Sequence, residues 1–257
     1  MVLTPGRPDR MKLLVINPNT TASMTASIGR AARAAAAPGT RVTAVNPLSG
    51  PVSIEGYFDE AFCVPGLLEE IIKGEAAGVD AHVIACFDDT GLEAARCCAS
   101  APVIGIGEAA FHLASLIAHR FSVVTTLSRS IAAIETNLMK YGLDRRCARV
   151  RACEVPVLEL DNPASGARAK LSAEIERAKR EEHAEAIVLG CAGMADLAAS
   201  LAHEHGLPVI DGVAAAVKLA ETLVALGHKT SKRGAYAAPA AKPFTGMFAH
   251  IRQPLPG

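Results

Sequence analysis

Two cysteines stand at matched places in this chain. Cys86 follows the apolar run Ala81-His82-Val83-Ile84-Ala85, and Cys191 follows Ala186-Ile187-Val188-Leu189-Gly190. Unbroken apolar runs with β-branched residues, bounded by glycine or a polar turn, read as strands buried on both faces of a parallel sheet. Such sheets present their chemistry at the carboxyl ends of the strands, where the next helix begins. Two thiols on opposite faces of a flat substrate can move a proton through a planar intermediate. One removes the proton and the other returns one to the opposite face. Neither a metal nor an organic cofactor is required if nearby donors stabilise the enolate oxygen.

The pairing of these cysteines rests on an internal repeat. Cys86 matches Cys191 and Leu92 matches Leu197 at one offset of 105 residues. Downstream, Ala101-Pro102-Val103-Ile104-Gly105 pairs with Leu207-Pro208-Val209-Ile210-Asp211 at an offset one residue larger. Upstream, Leu13-Leu14-Val15-Ile16-Asn17 resembles Ser122-Val123-Val124-Thr125-Thr126. A repeat of this length means two similar domains, not a solenoid. If the domains pack about an approximate dyad, the two thiols face each other.

Other residue patterns carry less chemistry. A helix start behind each thiol would lower its pKa from about 8.5 toward neutrality. Asp88 and Asp89 oppose that shift at Cys86 if they point inward, which would leave thiol on one side and thiolate on the other. Asn17, Thr125 and Thr126 lie at strand ends facing the same cleft. Helix capping accounts for each of them. With Asp88 and the amides of Phe87, Ala192 and Gly193 they also suit an imide or carboxylate. Cys63, Cys97, Cys98, Cys147 and Cys153 read as core or surface residues. There is no C-x-x-C and no paired-histidine set, so no metal site is expected. Gly105-Ile106-Gly107-Glu108 is a strand end and not a dinucleotide fingerprint, with Glu108 read as a cap. His112, His119, His203 and His205 fall on predicted helices.

The elements that position these residues follow from periodicity. Strands are predicted at 12–16, 41–45, 82–85, 103–106, 121–125, 149–155, 186–189 and 209–210. Helices are predicted at 22–37, 60–77, 92–98, 108–119, 131–140, 164–182, 194–205 and 213–226. Strands and helices alternating at this spacing imply an α/β fold with right-handed crossovers. The expected architecture is two similar domains, each a mainly parallel four-stranded sheet flanked by helices, related by a pseudo-dyad with the site between them. Residues 11–108 plus 212–257 form the first domain in this reading and 109–211 the second. Residues 1–10 read as a flexible extension, and the tail from Gly227 is expected to wrap along the first domain or cover an edge.

Composition narrows the partners. With 50% hydrophobic and 20% charged residues, the chain can build a substantial core. Its 26 basic and 26 acidic residues balance, and no basic stripe or aromatic platform appears, so nucleic acid is not an expected partner. No apolar run reaches the ~18 residues of a membrane span. The first ten residues lack the apolar core of a signal peptide, so a cytoplasmic location with seven reduced cysteines is expected.

Several segments carry a family resemblance: 16–25 (INPNTTASMT), 53–61 (SIEGYFDEA), 78–96 (GVDAHVIACFDDTGLEAAR), 120–130 (RFSVVTTLSRS), 185–197 (EAIVLGCAGMADL) and 208–221 (PVIDGVAAAVKLAE). Together they resemble hydantoin racemases of the aspartate/glutamate/hydantoin racemase superfamily, and allantoin racemases share much of the pattern. The resemblance implies that Cys86 and Cys191 are the acid and base of a cofactor-independent racemisation. It also implies a homo-oligomer and a hydantoin-type small-molecule substrate held in the interdomain cleft. Three rivals stay open: an amino-acid racemase, a decarboxylase, and a binding module without catalysis.

Overall fold

The computed structural model describes residues 11–160 and 162–249. The expected extension at 1–10 and the end of the expected tail, 250–257, lie outside the described residues. The first sheet is parallel, in the order β2-β1-β3-β4, from β1 (Met11–Ile16), β2 (Thr40–Val45), β3 (Ala81–Ile84) and β4 (Val103–Gly105). The second repeats that order as β6-β5-β7-β8, from β5 (Phe121–Thr125), β6 (Cys147–Ala152), β7 (Ala186–Gly190) and β8 (Val209–Asp211). Helices α1 (Ala22–Ala35), α2 (Tyr57–Ala76), α3 (Leu92–Cys98) and α4 (Ile106–Ile117) belong to the first round of elements. Helices α5 (Ile131–Lys140), α6 (Ala167–Glu181), α7 (Ala198–His205) and α8 (Gly212–Ala225) belong to the second.

The apolar strands are buried on both faces because alternate residues serve different cores. On β1, Leu13 and Val15 join a large core that also takes Val83, Phe121, Val123 and Val188, so one core is shared by both sheets. Leu14 and Ile16 point the other way, against Leu67 and Ile71 of α2. On β5 and β7, Val124, Ile187 and Leu189 likewise pack outward on Leu171 and Ile175 of α6.

Helix α8 comes last in the chain yet packs on α1, α4, β1, β3 and β4. Its Gly212 lets it approach α4 closely, since a Cβ there would sit 2.7 Å from the Ile106 carbonyl oxygen. Beyond α8 the chain runs along α3, where Thr230 N donates to Ser100 O at 3.0 Å and Lys232 Nζ bonds the Arg96 and Cys97 carbonyls. Among the described residues, no helix is long and apolar enough to cross a membrane.

Several expected elements shift at their ends, and three of the shifts have a local cause. The strand predicted at 149–155 is observed at Cys147–Ala152. Its polar face misleads, because Arg151 is buried among Glu174, Glu181 and Glu182 of the α6 region, and Glu154 ends the strand with a φ of 52°. The helix predicted at 60–77 begins at Tyr57, where Gly56 reverses the chain at φ 134°. The helix predicted at 194–205 is two elements: a 3₁₀ segment, Ala192–Leu197, and α7.

Candidate active site

Register brings the matched strand ends together. Ile16 pairs with Ile84 across β1 and β3, which sets Asn17 beside Ala85 and next to Cys86. Thr125 pairs with Gly190 across β5 and β7, which sets Thr126 beside Cys191. These ends line one cleft enclosing about 430 Å³ of empty volume, its open mouth included. Asn17, Cys86, Phe87, Asp88, Thr125, Thr126, Cys191 and Ala192 all line it. Gly193 does not line it. A Cβ there would stand 2.8 Å from Leu160 Cδ1, the tip of a flexible side chain.

The expected helix starts behind the thiols are absent. Cys86 is followed by turns, and α3 begins only at Leu92. Cys191 adopts extended backbone (φ −157°) ahead of the 3₁₀ segment, whose short, poorly aligned turns carry little dipole. Burial pushes the Cys86 thiol well above its ordinary value, and the Asp88 and Cys63 charges push the same way. Its Sγ lies 3.7 Å from Thr90 Oγ1, which partly offsets that rise. Cys86 therefore rests as a protonated thiol near neutral pH. All seven cysteines are without disulfides.

The polar wall is more committed than the sequence suggested. The Asn17 amide donates to Asn19 Oδ1 at 2.8 Å and Thr25 Oγ1 at 3.0 Å. Thr125 Oγ1 donates to the Gly190 carbonyl at 3.0 Å, tying the end of β5 to that of β7. Thr126 Oγ1 makes no hydrogen bond among the described residues, so its hydroxyl is available to a ligand. Helix α1 is not side-chain capped by Thr21; instead Asn19 Oδ1 accepts from Thr21 N at 2.9 Å. Ser130, Met24 and Val157 also line the cleft and were not singled out from sequence. Nothing in their local pattern marks them, because each arrives from a separate loop or helix.

Asp89 is the positioning residue that sequence reasoning missed. Its Oδ1 accepts from Gly107 N at 3.0 Å and its Oδ2 from Glu108 N at 2.7 Å, which caps α4 from a distant loop. Tyr141, at the C-cap of α5, donates to the same Oδ2 at 2.9 Å, and Asn137 of α5 donates to the Asp88 carbonyl at 2.7 Å. The loop carrying Cys86 is thus pinned by residues from the second half of the chain. The glycines of Gly105-Ile106-Gly107 carried the signal. A Cβ on Gly105 would lie 2.1 Å from Asp89 Oδ1, and one on Gly107 would lie 2.3 Å from the Phe87 carbonyl oxygen. Glu108, read as the cap, spends its carboxylate on Arg96 instead. In the second half, Asp211 caps α8 itself by accepting from Val213 N and Ala214 N, both at 2.9 Å.

Acidic groups crowd the Cys86 side. Glu60 Oε1 is buried with no hydrogen-bond partner among the described residues, and burial first, then Asp59, raises the Glu60 pKa. The Asp88 carboxyl is pushed up to about 7 by burial, then by Glu60 and Asp89, against a hydrogen bond from Ser130. An unfolded aspartate titrates near ~3.9, so the folded chain holds this proton more tightly between about pH 4 and about pH 7. The group's contribution to stability is present at the acidic end and is lost as pH rises through that window. Asp88→Asn is expected to flatten the decline of the urea midpoint across it; an unchanged slope would contradict the assignment.

No cluster of three or more histidine, cysteine, aspartate or glutamate side chains is arranged to hold a metal ion among the described residues.

Comparison with known proteins agrees with this architecture. The model of the Asp/Glu/Hydantoin racemase family matches residues 13–220. The chain is 53% identical over 236 residues to a hydantoin racemase of Rhizobium meliloti, covering 92% of this chain and 98% of the relative. It is 50% identical over 236 residues to a hydantoin racemase of Pseudomonas sp. (strain NS671), covering 92% and 95%. Among solved structures, the allantoin racemase from Klebsiella pneumoniae superposes with a TM-score of 0.91 at 51% identity, covering 93% of this chain and 98% of that one. With the matched sheets, the shared cleft and these likenesses together, the chain belongs to the Asp/Glu/hydantoin racemase family and is an enzyme of the racemase class.

Proposed function

We propose that the protein racemises 5-substituted hydantoins by proton transfer at C5 between Cys86 and Cys191. One observation carries the reading: both cysteines leave equivalent strands of the two sheets and line the same cleft. The C5 proton is α to the C4 carbonyl, so its removal places charge on that oxygen. One sulfur takes the proton as thiolate; the other, as thiol, gives one to the opposite face, and the two exchange roles for the other enantiomer. The raised Cys86 pKa makes it the thiol of the resting pair. Thr126 and the partly protonated Asp88 serve as donors to the ring carbonyls. Asn17 and Thr125 act through the walls they stiffen, and Phe87 and Ala192 bound the slot.

No lysine or arginine lines the cleft among the described residues, which disfavours an amino-acid racemase because substrate carboxylate would meet no cation. A decarboxylase on this scaffold needs one catalytic cysteine, so the retained pair argues against it. A second hydantoin-type reading has specific support: allantoin is itself a 5-substituted hydantoin, and the K. pneumoniae likeness favours it. The same reading takes the enzyme as a cytoplasmic homo-oligomer, with 11–108 plus 212–257 and 109–211 as its two domains.

Polarimetry on enantiopure hydantoins and then on allantoin, in deuterated water, tests the proposal. Decay of rotation with deuterium entering C5 is expected for at least one of them. Stable rotation with every hydantoin, allantoin included, would overturn it.

A further inference from the structure

The two edge strands β2 and β6 occupy equivalent places in the repeated sheets, and each is followed by a long connection. The first connection, 46–56, brings Ile54 to the cleft, and the second, 153–166, brings Val157. Between them runs one tie: Glu55 Oε1 accepts a hydrogen bond from Val157 N at 3.0 Å. Among the described residues no second hydrogen bond joins these connections. The Glu55 backbone is itself fixed, since its N–H donates to Asp59 Oδ2 at 3.0 Å in the first turn of α2. Upstream, Thr20 N donates to Pro51 O at 3.0 Å and Thr21 Oγ1 to Val52 O at 2.6 Å. The first connection is therefore anchored on its own half, and its carboxylate reaches to the other.

We propose that Glu55 is a positioning residue, a strap that draws Ile54 and Val157 together as one wall of the cleft. It sets how tightly a ligand is held and leaves the proton transfers at sulfur alone. The inference rests on the cleft being the substrate site, as argued above. The requirement is one oxygen at one reach, not a charge. Glu55→Gln keeps an acceptor at that reach, whereas Glu55→Asp keeps the charge but is one methylene short, and Glu55→Ala removes both.

Glu55→Ala and Glu55→Asp are expected to raise KM about tenfold, the scale of one partly buried hydrogen bond to a charged group, with kcat within about twofold. Glu55→Gln is expected to stay near the wild type. A readout independent of turnover runs alongside: iodoacetamide labelling of Cys86 and Cys191, followed peptide by peptide by mass spectrometry. Labelling should quicken in the Ala and Asp variants and not in Gln, with unchanged thermal melting. Equal labelling and KM in all four proteins would overturn the strap, as would a fall in kcat matching that in kcat/KM. If the wild type turns over no hydantoin, the functional reading fails, and the labelling arm decides the strap by itself.

Discussion

Serine at either Cys86 or Cys191 lowers racemisation by about a thousandfold or more, the expected cost of losing a positioned acid or base. A hydroxyl in place of either thiol holds its proton far too tightly to serve as base, and its oxygen sits closer to the backbone than sulfur does. Both cysteines line one cleft, so the two losses should look alike despite their separation of 105 positions in sequence. The wild type should incorporate solvent deuterium at C5 while the optical rotation decays. A serine variant at either position that racemises at the normal rate would end the two-sulfur scheme.

The second large effect is structural. Asp89→Ala strands the Gly107 and Glu108 N–H groups and the Tyr141 hydroxyl, all of which now donate to one carboxylate. Stranded donors cost about 1 kcal/mol or more each, so a loss of ~3 kcal/mol is expected in urea denaturation, reduced by relief from burying a carboxylate. Alanine also inherits the residue's φ of 50°, which adds strain. The second half of the chain offers the repair. Asp211, at the N-cap of α8, bonds the same two helix positions that Asp89 reaches from afar. Gly105 is the corresponding N-cap of α4. Gly105→Asp alone should be severely destabilising, because its Cβ would stand 2.1 Å from Asp89 Oδ1. Combined with Asp89→Ala it should recover part of the lost stability. A double variant no better than the worse single one would refute the equivalence.

That exchange also marks where sequence reading succeeds and where it stops. Local periodicity places β5, α3 and α5 at their observed bounds, and the repeat pairs Cys86 with Cys191. The cap on α4 comes from a residue well outside its helix, so no local motif announces it; two glycines without an evident turn are its trace. The 3₁₀ segment after Cys191 escaped because its apolar residues also fit an α-helical period. Thr125 looked free for a ligand, but its hydroxyl is turned onto its register partner, Gly190, a pairing visible only once the strands are aligned. Ser130 and Val157 reach the cleft through topology alone.

The late position of α8 has a consequence for how the chain is born. Its apolar face covers β1, β3 and β4, so the earliest sheet to be synthesised lacks that cover until residues near 225 have left the ribosome. The N-terminal strands must wait, partly bare, while the whole second sheet is made. Apolar surface left bare during synthesis is the kind that makes a folding intermediate prone to aggregate.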